Sequence, residues 1–266
     1  MPPQNIYDNP TFFATYSTFL RQTAGLPGAP EWPPLLSFLG GPASLSGTRV
    51  LDLGCGFGWF CRFAREQGAV GAVGVDYSER MLERAREYVR GDLDELDLAE
   101  LGVEDEEVDV VFSSLTFHYL LNLEELFKKV FKALKPGGKF VFSVEHPIMT
   151  APRDPAPSWG SDTSGKPGAD TSTSTSTSNS SGGKDKEYWP LNSYYFEGPR
   201  VTDWLAPGVV KQHRTTETFL RLLLRCGFRV TGFREWMPSD GDLERFPEWE
   251  RERHKPSFLL VGVVKE

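Results

Sequence analysis

Between Val50 and Gly58 the chain reads VLDLGCGFG, an apolar strand pattern that runs straight into glycine at every second position. The apolar residues call for burial in a sheet, while the glycines leave the following loop almost without side chains. That combination suits a strand ending at a sheet edge, where a ligand approaches bare backbone.

The surrounding pattern extends this strand into a sheet. Strands are expected at TRVLDLG, GAVGVD, EYVRG, VDVVFSS and GKFVFSVE. Amphipathic helices are expected at WFCRFAREQG, SERMLERAREY and LEELFKKVFKALK, the last closed by Pro136, Gly137 and Gly138. Alternation of this kind is the signature of an α/β fold, a parallel sheet with covering helices. A further helix, TTETFLRLLLRCG, leads to the runs FRVTGFREW and SFLLVGVVK. No long helix separates those two runs, so they are expected to pair antiparallel.

The whole chain, 1–266, reads as one domain with two additions. Residues 1–47, with the helical stretch NPTFFATYSTFLRQ and then PLLSFLG, are expected to form an N-terminal helical cap. Residues 151–187 include TSTSTSTSNSSGG, a low-complexity insertion too poor in apolar groups to offset the entropy of ordering, and disorder is expected there. Residues 188–214, rich in aromatics, are too short for a domain and are expected to form a substrate flap over the carboxyl edge of the sheet.

Two ligand classes use a glycine loop after the first strand of such a sheet. A dinucleotide needs G-x-G-x-x-G, but Gly54, Gly56 and Gly58 give G-x-G-x-G, with Trp59 where the third dinucleotide glycine belongs. A nucleotide-triphosphate loop is excluded, since no Gly-Lys-Ser/Thr follows. Asp52, inside the strand, would repel a phosphate and fits a ligand carrying an ammonium and a sulfonium. Asp76 ends the second strand about twenty residues on, where a carboxylate accepts both hydroxyls of a ribose. A tight structural turn is the plain alternative.

Taken together, VLDLGCGFG, VGVDYSERMLERAR, GDLDEL, VDVVFSSLTFHYL and LKPGGKFVFSVEHP resemble the class I S-adenosylmethionine-dependent methyltransferases. The resemblance covers about residues 48–146 in motif order, and more loosely 215 to the end. Within that family the chain is most similar to small-molecule O- or N-methyltransferases of the methyltransferase-11 and -25 type. It implies a Rossmann-like, doubly wound, seven-stranded sheet with its last strand antiparallel, and S-adenosyl-L-methionine as cofactor. By the same resemblance Gly54, Cys55 and Gly56 present backbone to the methionine portion, and Asp52 orients its ammonium. Asp76 takes the ribose hydroxyls, with Tyr77 and Met81 against the adenine. Asp92 accepts from the adenine amino group, the Leu93 amide donates to the ring, and Ser113 lies beside the methionine. The Ser/Thr-rich insertion departs from the family pattern.

Methyl transfer is an in-line displacement, so the protein must align the reacting atoms and exclude water. Aromatic faces attract a sulfonium, and Tyr7, Phe13, Tyr16 and Trp32 are candidates to supply them. Arg21 is a candidate partner for the cofactor carboxylate. A hydroxyl or protonated amine also needs a base. His118, His146 and His213 all fall near the catalytic edge and are the candidates, because imidazole titrates near neutrality. Packing or turn roles are the alternative for each, and His254 reads as solvent-facing.

A net charge of −8 argues against a general nucleic-acid or membrane partner and leaves a small molecule, held in a largely aromatic pocket, as the expected substrate. Rival readings are a protein or RNA methyltransferase and a non-catalytic cofactor-binding regulator. Three cysteines without metal-ligand spacing indicate neither a disulfide framework nor a metal site. With no long apolar run and no basic-then-apolar start, a soluble cytoplasmic protein is expected. Oligomeric state is not legible.

Overall fold

The computed structural model describes residues 4–88, 93–95, 105–153, 160–162 and 186–266. Its central sheet contains β1 (Arg49–Leu53), β2 (Gly71–Asp76), β3 (Leu93–Glu95), β4 (Val108–Ser114) and β5 (Leu134–Glu145). Two small antiparallel pairs follow, β6 (Gly160–Asp162) with β7 (Lys186–Tyr188), and β8 (Gly198–Thr202) with β9 (Val209–His213). The main sheet is completed by β10 (Phe228–Glu235) and β11 (Phe258–Lys265), in the order β10-β11-β5-β4-β1-β2-β3. Strands β1 to β5 pair parallel, whereas β11 runs antiparallel to both β5 and β10. The parallel pairing brings the carboxyl ends of β1, β2, β4 and β5 to one edge, and the site is built there.

The strand period of two sorts side chains onto two cores. Leu51 and Leu53 of β1 and Val111 of β4 face α6 (Leu123–Ala133) and α8 (Thr216–Arg225), with Phe127 and Phe219 beside them. Val50, Val110 and Phe112 face the opposite layer of α3 (Trp32–Leu39), α4 (Trp59–Glu66) and α5 (Glu79–Tyr88). α3 lies close over the sheet because Gly232 and Gly262 leave room for the Phe38 ring; a Cβ there would stand 2.6 and 3.2 Å from it.

Two expected elements take a different form. Of EYVRG, Glu87 and Tyr88 end α5, while 89–91 lie outside the described residues; β3 starts at Leu93. Met81, Leu82, Ala85 and Tyr88 follow helical spacing, and the Tyr88 ring stacks on Trp59 at 5.0 Å. The N-terminal helix is broken into α1 (Pro10–Tyr16) and α2 (Leu20–Thr23). The Ser17 and Thr18 hydroxyls donate to the carbonyls of Phe13 and Thr15, and such back-bonding competes with the helix ladder. Within the expected insertion, β6 pairs with β7, while 154–159 and 163–185 lie outside the described residues, as does Asp92.

Short helices α7 (Pro147–Thr150) and α9 (Asp240–Arg245) complete the fold. The N-terminal segment crosses the catalytic edge. The Gln4 amide bonds Gly208 O and Val210 N on the β8–β9 hairpin. Asn5 donates to Tyr77 O, and Asp8 accepts from Ser78 Oγ and Arg80 N at the start of α5. No described helix is long and apolar enough to cross a membrane.

Candidate active site

The glycine loop turns back on itself. Gly54, Gly56 and Gly58 all have positive φ, at 76°, 53° and 74°. Gly54 and Cys55 both donate their N–H to Val75 O, and Gly56 donates to Asp76 Oδ2 at 2.9 Å. These three N–H groups are therefore spent inside the protein. A Cβ on Gly56 would meet nothing within 4 Å, because that glycine borders open space.

The space on one side is lined by Tyr77, Ser78 and Met81, with Asp76 at the end of β2. Asp76 Oδ1 accepts from Ser78 N at 2.9 Å; burial raises its pKa, against the opposing effect of these N–H bonds. The space on the other side is lined by Asp52, Cys55, Gln22, Arg21, Trp59 and Ser114. Asp52 is buried, and burial first, then the charge of Asp76, pushes its pKa well above the carboxylate range. Its one hydrogen-bond partner among the described residues is the Cys61 thiol at 3.9 Å.

Two polar atoms on this side, Gln22 Oε1 and Trp59 Nε1, have no partner among the described residues. A buried polar atom left unpaired costs roughly 1–3 kcal/mol. An acceptor at Gln22, the Asp52 carboxyl and a donor at Trp59 would complement an amino-acid zwitterion. S-adenosylmethionine carries that group, and the residues present fit it. Neither Gln22 nor Trp59 stood out in the sequence. Trp59 registered only as an obstacle to a dinucleotide, and a single glutamine on an N-terminal helix carries no signal.

Ser113 is displaced from the expected site. Its side chain is fully buried and donates to Leu53 O at 2.7 Å, while Ser114 lines the cavities on both sides of the loop. The cause is strand alternation: Ser113 shares the face of Leu53, and Ser114 shares that of Phe112. Trp32 belongs to the core, against Phe63 at 5.1 Å, and Phe13 packs on Phe57. Arg21 does reach the cavity, but its guanidinium fork holds the fully buried Glu31 at 2.9 and 3.0 Å.

Beyond the loop lies a chamber of about 260 Å³, lined by Phe19, His118, Glu145, Met149, Trp204 and Phe258. Tyr7, Tyr16, Leu115 and Tyr119 line both this chamber and a cavity of the glycine loop, so the two spaces adjoin along these side chains. The three tyrosines pack edge to face, Tyr7 on Tyr16 at 5.1 Å and on Tyr119 at 5.7 Å.

The three candidate histidines divide here. His146 caps α7, its Nδ1 accepting from Ile148 N and its Nε2 bonding Glu235 at 2.9 Å. His213 donates from Nε2 to Tyr194 O, which leaves Nδ1 to accept from the Thr150 hydroxyl. Both rings are buried, use both nitrogens within the protein and line no cavity described here. Strand connectivity put them near the edge; only the fold shows them turned away from the chamber.

His118 does line the chamber. Its Nδ1 accepts from Glu145 N at 3.4 Å, so in the neutral ring the proton sits on Nε2, which has no partner among the described residues. Burial pushes its pKa down to about 4. Glu145 is held below its ordinary range, its burial outweighed by His118 and by Lys211. Among the described residues no cluster of metal-ligating side chains occurs.

Comparison with known proteins agrees with this geometry. The methyltransferase domain family matches residues 51–142, from β1 into β5. The chain is similar to an S-adenosylmethionine dependent methyltransferase from Mesorhizobium loti, at 43% identity with a TM-score of 0.76, covering 90% of this chain and 100% of that one. An uncharacterized protein of Haemophilus influenzae is 29% identical over 98% of this chain and 97% of its own length. Malonyl-[acyl-carrier protein] O-methyltransferase of Pectobacterium atrosepticum is 35% identical, over 37% of this chain and 39% of that one. A cavity with unpaired polar groups beside the glycine loop and likeness along almost the full length converge: the chain belongs to the class I S-adenosylmethionine-dependent methyltransferases, enzymes that take S-adenosylmethionine as cofactor.

Proposed function

We propose that the enzyme methylates an oxygen or nitrogen of a small molecule held in the aromatic chamber. One observation carries this: the tyrosine wall is common to the chamber and to a cavity of the glycine loop, so a ligand in one meets a ligand in the other. A volume of about 260 Å³ suits part of a metabolite rather than a protein surface or an RNA strand. The malonyl-[acyl-carrier protein] enzyme, by its name, methylates oxygen, which is consistent with this class of acceptor.

S-adenosylmethionine, when bound, supplies an electrophilic methyl group. Asp76 would hold the ribose, with Tyr77 and Met81 along the adenine. Asp52, Gln22 and Trp59 would hold the amino-acid end. Tyr7, Tyr16 and Tyr119 would exclude water and offer ring faces to a sulfonium. His118 would orient the acceptor through its Nε2–H and would not act as a base, because a ring with a pKa of about 4 takes up a proton poorly at neutral pH. The acceptor then arrives already nucleophilic.

The test is product formation from labelled cofactor across a pool of small metabolites, alongside protein and RNA pools. Labelled product is expected from the first pool. Transfer confined to protein or RNA would overturn the proposal.

A further inference from the structure

Behind the aromatic chamber a second cavity of about 340 Å³ continues, sharing Glu145, Met149 and Trp204 with it. Its buried wall has an unusual charge balance. Lys211, from β9, is 5% exposed; its Nζ lies 2.5 Å from Glu145 Oε1 and 4.4 Å from the centre of the Trp204 ring. An ammonium has three donors. Glu145 takes one, and no described residue takes the others.

Arg200, from β8, is 3% exposed and lines the same cavity. Its Nε donates to Ala151 O, Nη1 to Gly198 O and Pro199 O, and Nη2 to Ser193 O and Phe196 O. All five donors thus end on neutral carbonyls, and no carboxylate pairs with it among the described residues. Burial and the charge of Arg153 hold its guanidinium below its ordinary value. Asp203, also on the wall, is exposed, and its charge is screened by solvent. Among the described residues the buried part therefore presents two cations, Lys211 and Arg200, against one anion, Glu145. An excess buried charge is costly unless something pairs with it.

The geometry points to this outer cavity as the seat of a carboxylate on the substrate, bound by the two spare donors of Lys211 and favoured by the field of Arg200. The substrate class is then an organic acid whose apolar or aromatic body passes Met149 and Trp204, with its methyl-accepting group in the aromatic chamber. Two spare donors match the two oxygens of a carboxylate; a phosphate would call for more. This inference rests on the proposed small-molecule methyltransferase function and narrows it.

Calorimetry separates the two. Protein is first titrated with S-adenosylhomocysteine; absence of binding would count against the cofactor site itself. The loaded protein is then titrated with phenylacetate, phenylacetamide, phenethylamine and phenyl phosphate. Phenylacetate is expected to bind about tenfold or more tighter than the other three, the effect of hydrogen bonds to a charged group. Lys211→Met should remove that advantage without changing affinity for S-adenosylhomocysteine, and Lys211→Arg should retain most of it. Because Lys211→Met leaves Glu145 unpaired, folding is checked by circular dichroism, and the wild-type ranking stands without it. If S-adenosylhomocysteine binds but phenylacetate does not, or the amide, amine or phosphate binds as well, the inference is wrong.

Discussion

At the scale of single residues, the unpaired atoms of Gln22 and Trp59 separate a ligand site from a structural one. Gln22→Met removes a buried acceptor that has no partner among the described residues. The free protein should therefore keep or gain stability, by up to about 1 kcal/mol, while affinity for S-adenosylmethionine falls about tenfold. Urea unfolding and calorimetry read the two effects; parallel losses in both would mark Gln22 as structural. His118 makes a second test. A base is worth roughly 10²–10⁴ in turnover, whereas an orienting N–H that glutamine can replace is worth less, so His118→Gln should keep turnover within about tenfold. The same variant should change the pH dependence of stability. In the native state His118 titrates at about 4, against 6.5 for an ordinary histidine. Between those values the unfolded chain binds more protons, so this contribution is full above 6.5 and is lost as pH falls toward 4. It is worth up to about 3 kcal/mol. Asp52 and Asp76, with raised pKa values, act with opposite sign. The expected outcome is therefore read as a difference: the stability gap between wild type and His118→Gln at pH 7 shrinks by pH 5.

At the scale of elements, the N-terminal segment ties the start of α5 to the β8–β9 hairpin. Asp8 accepts from Ser78 Oγ at 2.6 Å and Arg80 N at 3.2 Å, adding a carboxylate to the positive end of that helix. Asp8→Ala should cost about 1 kcal/mol, by analogy with loss of a cap, and should speed hydrogen exchange across residues 4–16. Unchanged exchange would show that the segment is held by its other contacts. This link was not legible beforehand, because it joins positions about seventy and two hundred apart in the chain. By contrast α4, α6 and α8 were legible, since each repeats its apolar residues at helical spacing. Glu87 and Tyr88 were misread because Tyr favours strands in isolation, whereas Tyr88 finds the Trp59 ring while still helical.

At the scale of the whole molecule, the insertion tests how much chain the fold tolerates. β6 pairs with β7, so the ends of the stretch 163–185 already lie side by side. Replacing that stretch with a short Gly-Ser link should leave melting temperature and cofactor affinity nearly unchanged, because closure entropy varies only with the logarithm of loop length. A large fall in melting temperature would show that the stretch carries packing energy.

The alternation of strand and helix, the glycine loop and the acids at Asp52 and Asp76 are local patterns, and the sequence by itself determined the sheet, its antiparallel last strand and the class of cofactor from them. Which of Ser113 and Ser114 faces the loop, and which of His118, His146 and His213 faces the chamber, only the tertiary structure decided. A one-residue step along a strand reverses the side chain, and a histidine at a strand end is free or spent according to partners far away in the chain. Thr150 and Tyr194 for His213, and Glu235 for His146, reach those rings only once β8, β9 and β10 have packed. The charge balance of Lys211, Glu145 and Arg200 has the same origin, since burial, and not composition, makes a charge count.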